Sequence, residues 1–289
     1  MRYSARTACL ALLALAAAAR AAPPQRPPQW IVKGEELGCQ LSRVPQQPGE
    51  AAFHFGFSPV AREASLIIAV PGLKRDLAKS GSNVQLALEP GGFCTTAVAA
   101  TLFEARREGR GIAMWKLDPA ILQAFATADR LAVEQRGTTL VSVPFTGGDR
   151  ALKVLRDCND ELMRVWGLDP AVQGRLRQWA SPVGGSFVQW STTDDYPAGA
   201  IARAESGTVV VRISVSATGE VLGCETAVSS GSAALDRASC GPIVRRGRFD
   251  PALDPHDRPV ASKTVTTMHW RIPGGKKAPP PRRVPLDPA

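Results

Sequence analysis

The sequence predicts an α+β protein built as two domains. Three observations lead there. Short runs with period-two alternation recur through the first half and again near the C-terminus, as half-buried strands do. Between them lie segments whose apolar residues return every three or four positions, as on one helical face. The 289 residues are 44% hydrophobic, enough for two cores of ordinary size. The expected layout is a leader over residues 1–22, an α+β domain of unknown role over 30–170 and a linker over 171–193. A second domain follows over 194–273, then a basic, Pro-rich disordered tail over 274–289.

MRYSARTACLALLALAAAARAAPP places arginines before an apolar run and small residues after it. This is the layout of a cleavable signal peptide, with cleavage expected near Ala21 or Ala22. The run is short and Ala-rich for a transmembrane helix. An exported, periplasmic chain is therefore expected, the alternative being an inner-membrane anchor left uncut. The net charge of +9 belongs partly to this leader and partly to the tail GGKKAPPPRRVPLDPA. No basic stripe interleaved with aromatics stands in the body, so nucleic acid is not an expected partner.

In the first domain, FHFGF (53–57), EASLIIAVP (63–71), NVQLALEPGG (83–92) and GIAMWKLDP (111–119) read as strands. DPAILQAFATA opens a helix with Asp118 as N-cap and Pro119 in its first position. Two alternating runs around Arg136-Gly137 read as a hairpin over 129–145. Leu152, Leu155, Cys158, Leu162 and Trp166 then share one face of a helix, with Gly167 closing it and Pro170 stopping the chain from continuing. The mixed, mostly antiparallel sheet of this domain is thus accompanied by one or two helices.

The second domain reads as helix, strand, strand, helix, strand: a small three-stranded antiparallel sheet with two helices. DDYPAGAIARAES is a short helix ended by Gly207. Val209, Val211, Ile213 and Val215 form one face of a strand that turns at Thr218-Gly219 and returns from Val221. Ser232 caps a helix that turns Leu235, Ala238 and Ile243 inward and that Pro242 is placed to kink. SKTVTTMHWRI (262–272) is the last strand, with Val265, Thr267, His269 and Arg271 on one side.

Along this domain stand Tyr196-Pro197, Gly207-x-Val209-x-Val211, Gly219-x-Val221 and Ser229-Ser230-Gly231. Leu235-Asp236-x-Ala238, Arg248-Phe249-x-Pro251-Ala252 and Arg258-Pro259-Val260 follow in order. Together they resemble the TonB C-terminal domain family, part of the energy-transducer TonB proteins. The resemblance implies a non-enzymatic, periplasmic protein of transmembrane transport. It would bind segments of TonB-dependent outer-membrane receptors by strand addition, in outer-membrane transport or its modulation. The edge strand expected to receive the guest is Lys263, Thr264, Val265, Thr266, Thr267, Met268, His269 and Trp270, with its threonines partly open to water. The alternative is an envelope adaptor, or scaffold, that dimerises through the same strand. A cleavable leader, a short Pro-rich stretch and a globular domain in place of a long spacer depart from a full energy transducer. Coupling to the proton-motive force is therefore not expected. Residues 30–170 bear a distant likeness to exported domains of the invasion-associated locus B type, in the Trp30…Cys39 opening and a hairpin followed by an Ala/Leu helix.

Cys224 on the return strand and Cys240 on the following helix are placed to form a disulfide closing a loop of about 16 residues. Three pairings are open among Cys39, Cys94 and Cys158. Cys39–Cys158, tying the first strand to the last helix, is the expected one, and it leaves Cys94 as a buried odd thiol. CxxC and GxSxG motifs and Gly-rich phosphate loops are absent from the sequence. His54, His256 and His269 have no partner at metal-ligand spacing. Asp194-Asp195 is read as helix-start acids complementing a dipole. No cofactor, metal or catalytic residue is expected.

Overall fold

The computed structural model describes residues 29–45, 50–60, 63–70, 81–105 and 109–272. The expected leader and basic tail lie outside them. The class is α+β, and the strand pairings with assigned register are antiparallel.

Nine strands form one sheet. They are β1 (Gln29–Gly34), β2 (Cys39–Val44), β3 (Ala52–Ser58), β4 (Glu63–Val70), β5 (Ser82–Glu89), β6 (Phe93–Ala105), β7 (Gly109–Leu117), β8 (Arg130–Gln135) and β9 (Thr138–Pro144). Their order is β1-β2-β3-β4-β7-β6-β5-β8-β9. Helix α1 (Ala120–Thr127) precedes β8, and α2 (Gly148–Val165) follows β9. The remaining elements are α3 (Pro170–Gly174), β10 (Ser181–Pro182), α4 (Ala198–Ala202), β11 (Gly207–Val215), β12 (Val221–Val228), α5 (Ala233–Arg246), β13 (Phe249–Asp250), β14 (Ala252–Leu253), β15 (Pro259–Val260) and β16 (Ser262–Trp270).

Two compact units result, and they do not follow one another along the chain as expected. One comprises Met1–Ile31, Ser42–Phe55 and Ser65–Leu152; the other takes Val32–Leu41, Gly56–Ala64 and Lys153–Ala289. The physical reason is visible inside the second unit. Cys39 is bonded to Cys158 across a Cα separation of 6.2 Å, and this draws an early segment onto the C-terminal half.

In the first unit, Trp30, Phe53, Phe125 and Phe145 pack edge to face or stacked, with centroids 4.5 to 6.5 Å apart. The β8–β9 hairpin turns at Arg136 and Gly137, both at positive φ, the pattern of a tight two-residue turn. Helix α1 begins at Ala120, one residue later than the capping pattern suggests. Asp118 still serves its start, because its carboxylate accepts from the Ala120 N–H at 2.8 Å. Strand β6 has no counterpart in the sequence reading. Cys94 lies on it, half-buried and disulfide-bonded, and no described cysteine is free. The expectation of a buried odd thiol is corrected accordingly. Cys94, Thr96 and Val98 alternate with buried Ala97, so Cys94 stands on the outward face of the strand.

In the second unit, Leu155, Cys158, Leu162 and Trp166 of the α2 stripe are buried. Gly167 ends that helix at φ +70°, where a Cβ would collide with the Arg212 guanidinium. Pro170 does not end a segment. It opens α3, whose N-cap Asp169 accepts from the Ala171 N–H. Residues 171–193 are packed: Trp179 and Trp190 are buried, Trp190 lies 5.1 Å from the Phe249 ring, and β10 pairs with β13. Gly207 begins β11 instead of ending α4; the helix closes through Ala204 at φ +53°. Helix α5 runs through Pro242 without interruption, and its buried side chains are Leu235, Ser239, Pro242 and Ile243.

The Arg258 guanidinium and backbone N–H, with the His256 N–H, hold the Asp254 carboxyl down to about 2. A depressed carboxylate stabilises the fold fully above its unfolded value of about 3.9, and that contribution is lost as pH falls through about 2. The urea midpoint of Asp254→Asn is expected to lie below that of the parent near pH 6. The two should converge as the pH is lowered to about 2. Parallel curves down to that pH would rule the linkage out.

Candidate peptide-docking edge

The candidate site is one side of the three-stranded sheet, whose order is β12-β11-β16. Both outer strands are edges among the described strands, and they differ. Strand β16 pairs with β11 in unbroken register from Gly207↔Trp270 to Val215↔Ser262. Strand β12 slips register against β11 in two places, between Val210 and Val211 and between Ser214 and Val215. The slips leave Ala227 and Leu222 without opposite partners, and Leu222 is exposed. Bulges bend an edge and disrupt its row of backbone groups, whereas a regular strand presents alternate N–H and C=O groups in line. The Cys224–Cys240 bridge, with a Cα separation of 5.6 Å, also fixes β12 to α5. The regular edge is therefore β16.

The eight residues expected to form the edge all lie on β16, but their burial differs from expectation. Thr264, Thr266, Met268 and Trp270 are buried on one face, and Val265 is buried on the other. Only Lys263 and His269 are exposed, with Thr267 between. Thr264 and Thr266 thus do not line an edge open to water. They alternate with the strand's pleat and face inward, as the β-branched shape permits.

Trp270 fastens this strand. Its indole N–H donates to the Ser239 hydroxyl at 2.9 Å, and Ser239 donates to the Leu235 carbonyl at 2.8 Å. The Tyr196 ring meets the Trp270 ring edge-on at 5.1 Å. Burial, then the Glu205 charge, push the Tyr196 phenol above its ordinary value, so it remains a neutral donor to the Glu205 carbonyl. The Glu205 carboxyl is held low by Arg203 and by the Ser232 hydroxyl.

The Ser229-Ser230-Gly231 turn is locked by Asp236. Both serine hydroxyls and the Ser230 N–H donate to its carboxylate. Gly219 sits at φ +85°, and a Cβ there would lie 1.9 Å from the Phe249 carbonyl oxygen. The acids at Asp194-Asp195 stand in the first turn of a short 3-10 helix, where the Asp195 carboxylate accepts from the Thr192 N–H at 2.9 Å. The Asp195 side chain is nearly buried and pairs with Arg245 and Arg246 of α5. Burial opposes its ionisation, but hydrogen bonds from Thr192 and Arg246 outweigh this and hold its carboxyl low.

On the sheet face opposite Trp270, Arg212 donates to the Trp166 carbonyl at 2.9 Å and to Glu225 at 2.8 Å. It satisfies a carbonyl at the C-terminal end of α2. His269 contacts the Thr208 hydroxyl at 3.1 Å, the Thr267 hydroxyl at 3.4 Å and the Glu36 carboxylate at 3.4 Å. Sequence reading assigned no role to Glu36, Arg212 or Ser239.

Among the described residues, no group of three or more His, Cys, Asp or Glu could hold a metal ion. No helix among them is long and apolar enough to cross a membrane.

A three-stranded antiparallel sheet with α5 against one face and a regular outer strand defines a small α+β domain. Residues 193–272 match the family described as Gram-negative bacterial TonB protein C-terminal, so this segment is similar to the TonB C-terminal domain. The match covers under a third of the chain's 289 residues. Neither the curated proteins nor the solved structures return a match.

Proposed function

We propose that this chain binds an extended peptide by strand addition along the outer edge of β16. Its partners are periplasmic segments of TonB-dependent outer-membrane receptors, and it acts in envelope transport or its modulation without catalysing a reaction. The observation that carries the reading is the unbroken pairing of β16 with β11, set against the twice-bulged β12. A guest strand would take up the N–H and C=O groups that alternate residues of β16 direct away from β11. The family match supports the choice of receptor segments as guests.

The test is a calorimetric titration of the intact chain with N-terminal periplasmic peptides of such receptors, against scrambled controls. The intact chain is needed because the second unit includes residues 32–41 and 56–64. A binding peptide is then N-methylated on one set of alternate residues, then on the other. Strand addition is expected to lose binding about tenfold or more with one set and to tolerate the other, since only one set faces β16. Absence of sequence-dependent binding would overturn the proposal. Equal sensitivity to both sets would exclude strand addition as its mode.

A further inference from the structure

We infer that Glu36 is a specificity-determining residue of the β16 edge, selecting guests that carry a lysine or arginine opposite His269. The inference rests on strand addition as proposed above.

Glu36 lies in the turn between β1 and β2, far from β16 in sequence but in the same compact unit. The turn is rigidly made. The Glu35 N–H donates to the Gly38 carbonyl at 2.7 Å, and the Ser58 hydroxyl donates to the Leu37 carbonyl at 2.8 Å. Gly38 is buried so closely that a Cβ would lie 2.3 Å from the Phe57 carbonyl oxygen. Cys39, the next residue, is bonded to Cys158. The backbone under Glu36 is thus fixed by two hydrogen bonds, a steric contact and a covalent link.

Its carboxylate stands 3.4 Å from His269 Nε2, and the two side chains are 36% and 41% exposed. Both can therefore be reached by a guest. An ionised carboxylate accepts several hydrogen bonds, and one imidazole contact leaves most of that capacity unused. Lys33, Glu35 and Arg271, near in sequence to one or other of the pair, are all exposed. A strand added beside β16 would run about 4.8 Å away. Its residue opposite His269 would have its Cβ about 5 Å from the His269 Cβ, on the same face. A long cationic side chain from that residue reaches the Glu36 carboxylate and forms a charge-assisted hydrogen bond. An alanine cannot reach it, and an acidic residue is repelled. On the other face the corresponding guest positions meet buried Met268 and Trp270, which offer no charge.

The experiment is a lysine scan. The receptor peptide that binds best is made with lysine, and separately alanine, at each position in turn. Each is titrated into the intact parent chain and into Glu36→Gln. One position is expected at which lysine binds roughly fivefold tighter than alanine. That advantage should vanish in Glu36→Gln and shrink with added salt, while the alanine peptide binds both proteins alike. If no position favours lysine, or if the advantage survives in Glu36→Gln, the inference is overturned while strand addition stands. If no receptor peptide binds the parent chain, strand addition has failed and the inference falls with it.

Discussion

Replacing Trp270 by alanine is expected to destabilise the chain by about 3–5 kcal/mol, the range for removing a buried large aromatic side chain. The residue fills the space between β16, Tyr196 and α5, and its indole N–H satisfies the buried Ser239 hydroxyl. Alanine leaves a cavity and deprives Ser239 of its donor at the same time. Trp270→Phe keeps much of the volume and loses the hydrogen bond, for which about 1–2 kcal/mol is expected. Urea unfolding followed by circular dichroism separates the two. A Trp270→Ala loss below 1 kcal/mol would show that the strand's end is not anchored through this side chain. Because Trp270 ends the proposed docking edge, the alanine variant should also weaken peptide binding. The phenylalanine variant should retain most of it.

The second large effect is expected from converting Cys39 and Cys158 together to serine. The bridge joins residues separated by 119 positions, and in the chain-entropy view closing a loop of that length contributes about 4–5 kcal/mol. The Cys224–Cys240 bridge, with a separation of 16, contributes about 3 kcal/mol on the same basis. The urea midpoints of the two double-serine variants should fall in that order. A smaller loss for the Cys39–Cys158 pair would mean that packing alone holds its partners together. The first variant also releases one restraint on the turn that carries Glu36.

Much of the architecture was legible where period and punctuation agree. The Arg136-Gly137 hairpin, the α2 stripe and the β11–β12 hairpin each combine apolar alternation or helical spacing with a glycine at positive φ. Strand β6 was not legible. Its run FCTTAVAATLFEA is rich in alanine and threonine, so its two faces barely differ in polarity. The burial of Thr264 and Thr266 escaped notice for a related reason. Threonine reads as polar in sequence, yet packs as a β-branched residue in a sheet.

Pro242 misled in the opposite direction. A helix can carry an internal proline when tertiary packing holds it, and here Pro242 is itself buried beside Ile243. The contact of Glu36 with His269 had no local signal at all, since it joins two ends of the chain. The same holds for Arg212 and Trp166, which meet only once the sheet and α2 are both in place.

The way the second unit gathers its parts sets an order on its assembly. Residues 32–41 are made long before β16. Until β16 is available, β11 has only β12 beside it and one side unpaired. The early segment must wait until residues from Lys153 onward are made for the surface it belongs to. Contacts of such long sequence separation form slowly, because loop closure must precede their reward. The unit therefore closes only once β16 has joined it, and a chain truncated before β16 would be left with an unfinished sheet.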